Sequence, residues 1–488
     1  MLSTFVAVRK TKPAPIVEKV LIEDYAAEGK ALARVNGKVV FVEGAVPGDV
    51  VDIQLQKNKA DWAQGYVKTF HSYSPIRVTP FCSHFGVCGG CQWQMLPYEQ
   101  QLNYKHKQVV DNLTRIAKVS LPPIAPILGA DQTQAYRNKV EYTFATEKFI
   151  PFSEFKAMKL VADHSTSIAS EKIAGVAGFH ARGFFEKVVA IDRCYLQAEP
   201  TNELRKAVEA FAIEHQMPFY NIKQHTGWVR NMFIRNTTTG EWMVNIILGY
   251  EDKEKREALL HNLLALFPQI TTLLYTINTK RNDSMQDLVP QVYSGSGYIT
   301  EYLEDFQFKI SPKSFFQTNS KQAEKLYQVT REFAELTGKE ILYDLYCGTG
   351  SIGIFCSKKA KKIIGVEVVE DAIADAKINA SLNELTDTAF FAGDVINICD
   401  DSFFQTHGKP DVIITDPPRA GMHEKLVNKL LAMEAPIIVY VSCNPATQAR
   451  DLSLLNEKYA VTKIQPVDMF PHTLHIENVV QLKRKDLL

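Results

Sequence analysis

The sequence predicts an α/β protein: a doubly wound parallel sheet in its C-terminal part, preceded by a central α+β region and a small N-terminal β-barrel. Three observations predict this. From about residue 311 short apolar runs alternate with helical stretches, residues 16–70 read as short alternating strands broken by glycine turns, and 488 residues imply about three domains. Hydrophobic residues make up 46% and charged residues 23%, an ordinary globular balance that excludes disorder, collagen and coiled coil.

The barrel strands run from Ala31 to Val35, Lys38 to Val42 and Val50 to Leu55, with turns at Gly37 and from Gly44 to Asp49. Lys57, Lys59, Trp62 and Tyr66 follow. Basic and aromatic residues on a small barrel suit single-stranded nucleic acid through phosphate contact and stacking, although a solvated barrel edge with a structural Trp fits the same residues. A cysteine cluster spans 82–91, and a helical pattern from about Pro97 to Ala117 is expected to pack on the catalytic domain. Residues 136–310 carry strand-like runs from Lys139 to Phe144, Trp228 to Arg235 and Trp242 to Leu248, and a charged helix around 251–266. In the C-terminal part the runs Ile341–Leu345, Lys362–Val366, Asp411–Thr415 and Ile437–Ser442 are separated by helical stretches, as a parallel sheet requires. The expected division is 1–75, 76–310 and 311–488.

Net charge is zero, with 55 basic and 55 acidic residues, yet the balance is uneven. Residues 1–150 carry 18 basic and 13 acidic side chains, residues 151–290 carry 16 of each, and residues 291–488 carry 21 and 26. A nucleic-acid partner for the N-terminal part is therefore compatible with neutrality of the whole. No 18-residue apolar run exists and the start lacks the pattern of a signal peptide, so a cytoplasmic protein with no membrane partner is expected.

Eight cysteines are too sparse for a secreted disulfide scaffold, so their clustering points to metal or catalysis. Cys82-x5-Cys88-Gly-Gly-Cys91 places three thiols within ten residues, and Cys194 is the best remote fourth, because the other four lie in the C-terminal sheet region. Four thiolates fit a 4Fe–4S cluster or a zinc ion equally on spacing, and His84 is an alternative to one thiol.

Strand Ile341–Leu345 runs into Asp344-Leu-Tyr346-Cys-Gly348-Thr-Gly350-Ser351-Ile-Gly353 and then a helix. Glycines after a parallel strand let a ligand approach the backbone at a helix start, and Glu367, ending the next strand, suits ribose hydroxyls. The D-x-x-x-G-x-G form departs from the dinucleotide pattern and resembles motif I of class I S-adenosylmethionine methyltransferases. Asp394 matches that family's adenine-side acid. Asp416-Pro-Pro-Arg419 and Ser442-Cys443-Asn444-Pro445 stand at the ends of two further strands, where open α/β sheets place their chemistry.

Together with Phe315-Phe316-Gln317-x-Asn319 and His475-Ile-Glu477-Asn, these motifs make the chain resemble the RNA uracil-C5 methyltransferases with a cysteine nucleophile, most closely the iron–sulfur 23S rRNA members with an N-terminal TRAM domain. The resemblance implies Gln317, Tyr346, Gly348, Gly350, Ser351, Glu367, Asp394 and Asp416 around cofactor and substrate, Cys443 as nucleophile and Glu477 as proton acceptor. It also implies S-adenosylmethionine as cofactor, single-stranded or loop RNA as substrate, and a monomer. Relatives commonly carry Asn where this chain has Ser351. The stretch between Cys91 and Cys194 holds 102 residues and includes an apparent insertion around 151–175.

The chemistry accounts for the residue types. Uracil C5 is a poor nucleophile until a thiolate adds at C6, and a base must then take the C5 proton so that the thiol leaves. Cytosine-C5 methylation uses the same addition, but such RNA enzymes carry the attacking Cys in a T-C motif and a second in P-C, whereas Asp416-Pro-Pro has none. Amino-group methylation favours an aromatic residue where Arg419 stands. A non-catalytic iron–sulfur RNA-binding protein would leave Gly348, Gly350, Cys443 and Glu477 without a purpose, and a tRNA uridine is the alternative substrate.

Overall fold

The computed structural model describes residues 15–26, 29–151 and 175–488. The first fourteen residues and nearly all of the 151–175 stretch, including the expected insertion, lie outside the described residues. The chain divides into two compact units, residues 1–81 with 92–104, and residues 82–91 with 105–488.

The first unit contains a six-stranded sheet in the order Ile16–Leu21, Val50–Asn58, Trp62–Ser72, Lys38–Glu43, Ala31–Val35, Asp24–Tyr25. Register shifts between Val50–Asn58 and Trp62–Ser72 coil this sheet, since each extra residue bends its strand. Apolar residues alternate inward: Val51, Ile53 and Leu55 are buried while their neighbours are not. The predicted turn closes on Asp49, whose buried carboxylate accepts from Val46 N, Ser74 N and the Arg77 guanidinium. Trp62 and Tyr66 lie on Trp62–Ser72 itself and are 37% and 44% exposed, so this Trp is not a core residue.

In the second unit, a seven-stranded sheet combines Gln291–Gly295, Thr272–Ile277, Trp242–Leu248, Val229–Asn236, Lys139–Ala145, Val176–His180 and Val188–Ala190, in that order. Helices Thr201–Glu214 and Lys253–Leu266 contribute Leu204, Val208, Leu259 and Leu263 to its core. A two-stranded ribbon, Ile299–Leu303 with Phe306–Ile310, precedes the C-terminal sheet.

The C-terminal sheet has strands β1 (Ile341–Leu345), β2 (Lys362–Glu367), β3 (Thr388–Ala392), β4 (Val412–Thr415), β5 (Ile437–Ser442), β6 (Tyr459–Val467) and β7 (Glu477–Arg484). Their order is β3-β2-β1-β4-β5-β7-β6. β1 to β5 pair in parallel, and β7 is inserted antiparallel between β5 and β6. The four parallel strands expected from apolar runs are present within a residue at each end. Helices cover both faces: Ser320–Ala334 packs Ala323, Leu326 and Phe333 on one, while Glu424–Met433 and Pro445–Leu455 pack Leu426, Leu430 and Leu452 on the other. Val109, Leu113 and Ala117 join that second core. No helix among the described residues is long and apolar enough to cross a membrane.

Candidate active site

The parallel strands aim their carboxyl ends at one edge, and the predicted motifs collect there. After β1, Tyr346 adopts φ +61°, a left-handed conformation unusual for a residue with a side chain, and Gly348 and Gly350 follow at +53° and +76°. Nothing lies within 4 Å of where a Cβ on Gly348 would stand, whereas at Gly350 a Cβ would press on Phe390 at 3.0 Å. Gly348 thus leaves open space against the backbone, and Gly350 permits close packing of the turn.

Asp344 Oδ2 accepts from Gly353 N at 2.8 Å, and its Oδ1 is buried with no hydrogen-bond partner. Glu367, at the end of β2, accepts from Gly348 N at 3.3 Å and Val369 N at 3.0 Å, which fixes the carboxylate beside the turn. Asp394 follows β3 and caps the helix Val395–Ile398 by accepting from Ile396 N at 2.9 Å. Tyr346 lies within electrostatic reach of both Glu367 and Asp394; burial, then these two acids, pushes its hydroxyl up. Open space at Gly348, an orphan carboxylate oxygen and acids at two strand ends fit a ligand bearing hydroxyls and positive charge, as S-adenosylmethionine does.

Cys443 directly follows β5. Ser442 Oγ accepts from Asn444 N at 3.1 Å, Asn444 caps the helix Pro445–Leu455 through Ala446 N at 3.1 Å, and Pro445 occupies its first turn. The thiol is thereby held between a strand end and a helix start. The β5–β7 register pairs Ser442 with Asn478, so continuing it by one residue sets Cys443 opposite Glu477. Asp416 follows β4 next door, its N–H reaching Leu345 O at 3.4 Å. Arg419 O accepts from Asn444 Nδ2 at 3.1 Å and Thr447 Oγ1 at 3.3 Å, tying the Asp-Pro-Pro-Arg loop to the cysteine turn. Of the four cysteines in this domain, Cys347, Cys356 and Cys399 are buried and Cys443 is partly accessible.

Three acids dominate the electrostatics, Asp344 and Glu477 buried and Asp416 half-buried. Burial pushes Asp344 up to about 7, and burial likewise pushes Asp416 up to about 7. Glu477 is raised well above the carboxylate range by burial and by facing Asp416. The Cys443 thiol is pushed up to about 11, by burial and then by Glu477 and Asp416, with Arg419 pulling the other way.

Sequence reasoning missed the residues that brace this edge. Asn138 donates from Nδ2 to Gln317 O at 3.1 Å and to Ser320 Oγ at 2.8 Å, while its N–H reaches Thr318 O. The neighbouring Tyr136 hydroxyl donates to Pro471 O at 3.0 Å, on the segment leading to Glu477. Tyr-Arg-Asn-Lys just before a strand was the available signal. Gln317 is buried beneath this strap and Phe315 is exposed. Tyr327, on the Ser320–Ala334 helix, shares a 3.0 Å hydrogen bond with Ser351 and lies within reach of Asp344, Asp416 and Glu477, so Ser351 faces the acids through a tyrosine.

The four candidate metal thiols are drawn into one neighbourhood. Cys88 and Cys194 both pack against Ala181, Val189 and Ile191. Cys194 is pushed up to about 11 by burial, with Cys88 and Cys82 adding to the rise, and Tyr136 feels both Cys91 and Cys194. Four soft donors in a half-buried setting suit a thiolate-bound metal centre chemically. Among the described residues, however, no group of three or more His, Cys, Asp or Glu side chains is arranged as a ligand set. His84 Nε2 accepts from Asp192 N at 2.9 Å, which occupies that ring nitrogen.

Comparison with known proteins bears on the whole chain. Residues 291–485 match the family described as tRNA (uracil-5-)-methyltransferase, and residues 17–68 match the TRAM domain. A Bacteroides thetaiotaomicron protein described as an uncharacterized RNA methyltransferase is 50% identical over 94% of this chain and 99% of its own length. One from Porphyromonas gingivalis is 47% identical over 95% and 99%. Among solved structures, the Pyrococcus abyssi tRNA (uracil-54, C5)-methyltransferase in complex with S-adenosyl-L-homocysteine superposes with a TM-score of 0.72 at 26% identity, covering 95% of this chain and 100% of that one.

Proposed function

The chain belongs to the S-adenosylmethionine-dependent RNA uracil-5 methyltransferase family, and from that premise we propose that it methylates C5 of a uridine in 23S rRNA through a covalent bond between Cys443 and C6. The observation that carries the mechanism is the register that opposes Cys443 to Glu477 beside Asp416 at the carboxyl edge of the sheet.

Cys443 Sγ, as thiolate, adds to C6, and the C5=C6 π pair moves onto C5 and O4. When bound, S-adenosylmethionine supplies an electrophilic methyl carbon on a sulfonium, whose positive charge also favours the ionised forms of Asp416, Glu477 and Cys443. C5 takes that methyl group, and the C–S bonding pair stays on sulfur. Glu477 then accepts the C5 proton. The C–H pair restores C5=C6 and expels the Cys443 thiolate. A carboxylate raised by burial is a stronger base than an exposed one, which suits this step. Asp416 and Arg419 orient the base edge, and Gln317, Tyr346, Gly348, Gly350, Ser351, Glu367 and Asp394 hold cofactor and substrate.

Cys443→Ala should bind RNA and transfer no methyl, and Glu477→Gln should accumulate a protein–RNA adduct on denaturing gels. Turnover retained by Cys443→Ala would sink the mechanism. Mapping 5-methyluridine in RNA from cells with and without the gene decides the substrate. The tRNA names of the family and of the Pyrococcus structure favour the second reading, a tRNA uridine.

Cys82, Cys88, Cys91 and Cys194 we read as ligands of a 4Fe–4S cluster with a structural role, zinc being the alternative, since the methyl transfer needs no electron. The expected preparation is brown with absorbance near about 400 nm, lost in Cys88→Ser; a colourless, zinc-containing one refutes iron. The reading includes a monomer acting in the cytoplasm, with no membrane partner.

A further inference from the structure

The hairpin of Val176–His180 and Val188–Ala190 ends in a turn built from Arg182-Gly183-Phe184-Phe185-Glu186. This turn is held on three sides. Ala181 N reaches Lys187 O and Phe184 N reaches Ala181 O, both at 2.9 Å; Val188 N reaches Glu147 O at 3.0 Å and Phe149 N returns to Val188 O at 2.8 Å; Arg182 N reaches Val87 O at 3.0 Å, and Cys88 bridges Ala181. The turn is thus fixed by its own hairpin, by the 147–149 segment and by the cysteine loop.

On this fixed mount Phe184 is 48% exposed and Phe185 71% exposed. Phe149 braces Phe184 with ring centroids 5.5 Å apart. Single exposed apolar side chains are ordinary, but two adjacent phenyl rings on a braced turn, backed by a third, form an aromatic surface. Lys148 and Arg182 are exposed and Lys187 is half-buried around it. Among the described acids nearby, Glu186 is paired with Lys223 at 3.0 Å, Glu147 also lies within reach of Lys223, and Asp283, within reach of His180, is paired with Arg230 at 2.7 Å. Aromatic faces among an excess of cations match unpaired nucleotides, whose bases stack on rings while their phosphates meet positive charge. Protein interfaces are depleted of lysine, whereas two of the three cations here are lysines.

We propose that Phe184 and Phe185 form a stacking platform for an unpaired base of the RNA substrate, outside the methyl-transfer pocket, with Lys148, Arg182 and Lys187 facing the adjoining phosphates. This rests on RNA being the substrate and deepens that reading. Stacking tolerates any base, so the platform supplies affinity and strand direction while the pocket selects the uridine.

The test uses the full chain and an oligouridylate carrying one 2-aminopurine, whose fluorescence falls on stacking. Phe185→Ser should weaken binding about tenfold and lose the quench, and Phe185→Trp should keep both. S-adenosylmethionine binding, unchanged in both variants, reports an intact fold. Wild-type affinity and quench in Phe185→Ser overturn the proposal. So does a sedimentation result in which the wild type self-associates, Phe185→Ser is monomeric and RNA affinity is equal, because the rings then join two copies of the chain. Failure of the uridine reading is separate: the wild type would bind the oligonucleotide yet place no methyl group on C5 of any uridine in cellular RNA.

Discussion

Asp344, Asp416 and Glu477 are carboxyls whose burial holds them protonated at pH values where free carboxyls are ionised, Asp344 and Asp416 at about 7 and Glu477 well above its ordinary value. A carboxyl raised on folding contributes stability that is complete below its unfolded value, about 4, and is lost as pH climbs through the folded value. The cofactor-free protein should therefore lose thermal stability between about pH 5 and about pH 8, and Asp416→Asn should flatten that loss in melting curves taken across the range. Cofactor binding should run the other way. A sulfonium favours ionised acids, so affinity should tighten as pH rises toward about 8, by up to about tenfold per pH unit for each proton released. Titration calorimetry in buffers of different ionisation enthalpy counts those protons, and an affinity flat from about pH 6 to about pH 8 would mean the acids are already ionised in solution.

The segment between β6 and β7 delivers Glu477, and it is nailed down along its length. Lys105 Nζ contacts Asp468 Oδ1 at 2.6 Å and Phe470 O at 3.2 Å, and both side chains of this ion pair are fully buried. Gln322 Nε2 reaches Asp468 O at 2.7 Å, Asn319 Nδ2 reaches Met469 O at 2.9 Å, and Tyr136 holds Pro471. A buried pair adds little over an apolar substitute, but removing one partner leaves an uncompensated charge. Lys105→Met should destabilise by about 3–5 kcal/mol in denaturant unfolding, and Lys105→Met with Asp468→Leu by clearly less. Equal losses in both would mean that the carboxylate left behind by Lys105→Met carries no cost of its own. This bracing was not legible in the sequence, because Lys105 and Asp468 lie 363 residues apart and neither belongs to a motif. The strands β1, β2, β4 and β5 were legible because strands buried on both faces read as unbroken apolar runs. β7 escaped notice for a physical reason: Asn478 and Gln481 are buried in it, donating from their side-chain amides to Gln448 Oε1 and to Phe333 O, so neither an apolar run nor an alternation of period two survives.

At the scale of the whole chain, neutrality averages over unlike parts. The excess of basic residues falls in residues 1–150 and the excess of acidic ones in residues 291–488, where Glu367, Asp394 and Asp416 stand at strand ends. RNA affinity should fall with salt with a log–log slope of about −0.7 for each phosphate neutralised. Replacing exposed Lys57 and Lys59 by Gln should flatten that slope by about 1.4, measured by filter binding over a salt series. An unaltered slope would remove these lysines from the contact.

By itself the sequence determined the candidate groups: the glycine turn after a strand, the acids at strand ends, the single cysteine in Ser-Cys-Asn-Pro and the thiols at 82, 88, 91 and 194. Those are local facts, since turn geometry and strand ends are written in neighbouring residues. Only the tertiary structure decided that β7 enters antiparallel between β5 and β6. That insertion brings Glu477, 34 residues downstream, into register with Cys443 and against Asp416. A strand's partner and direction are set by backbone hydrogen bonds to distant segments, so the Glu477 carboxylate is buried opposite Cys443 only once the sheet is assembled.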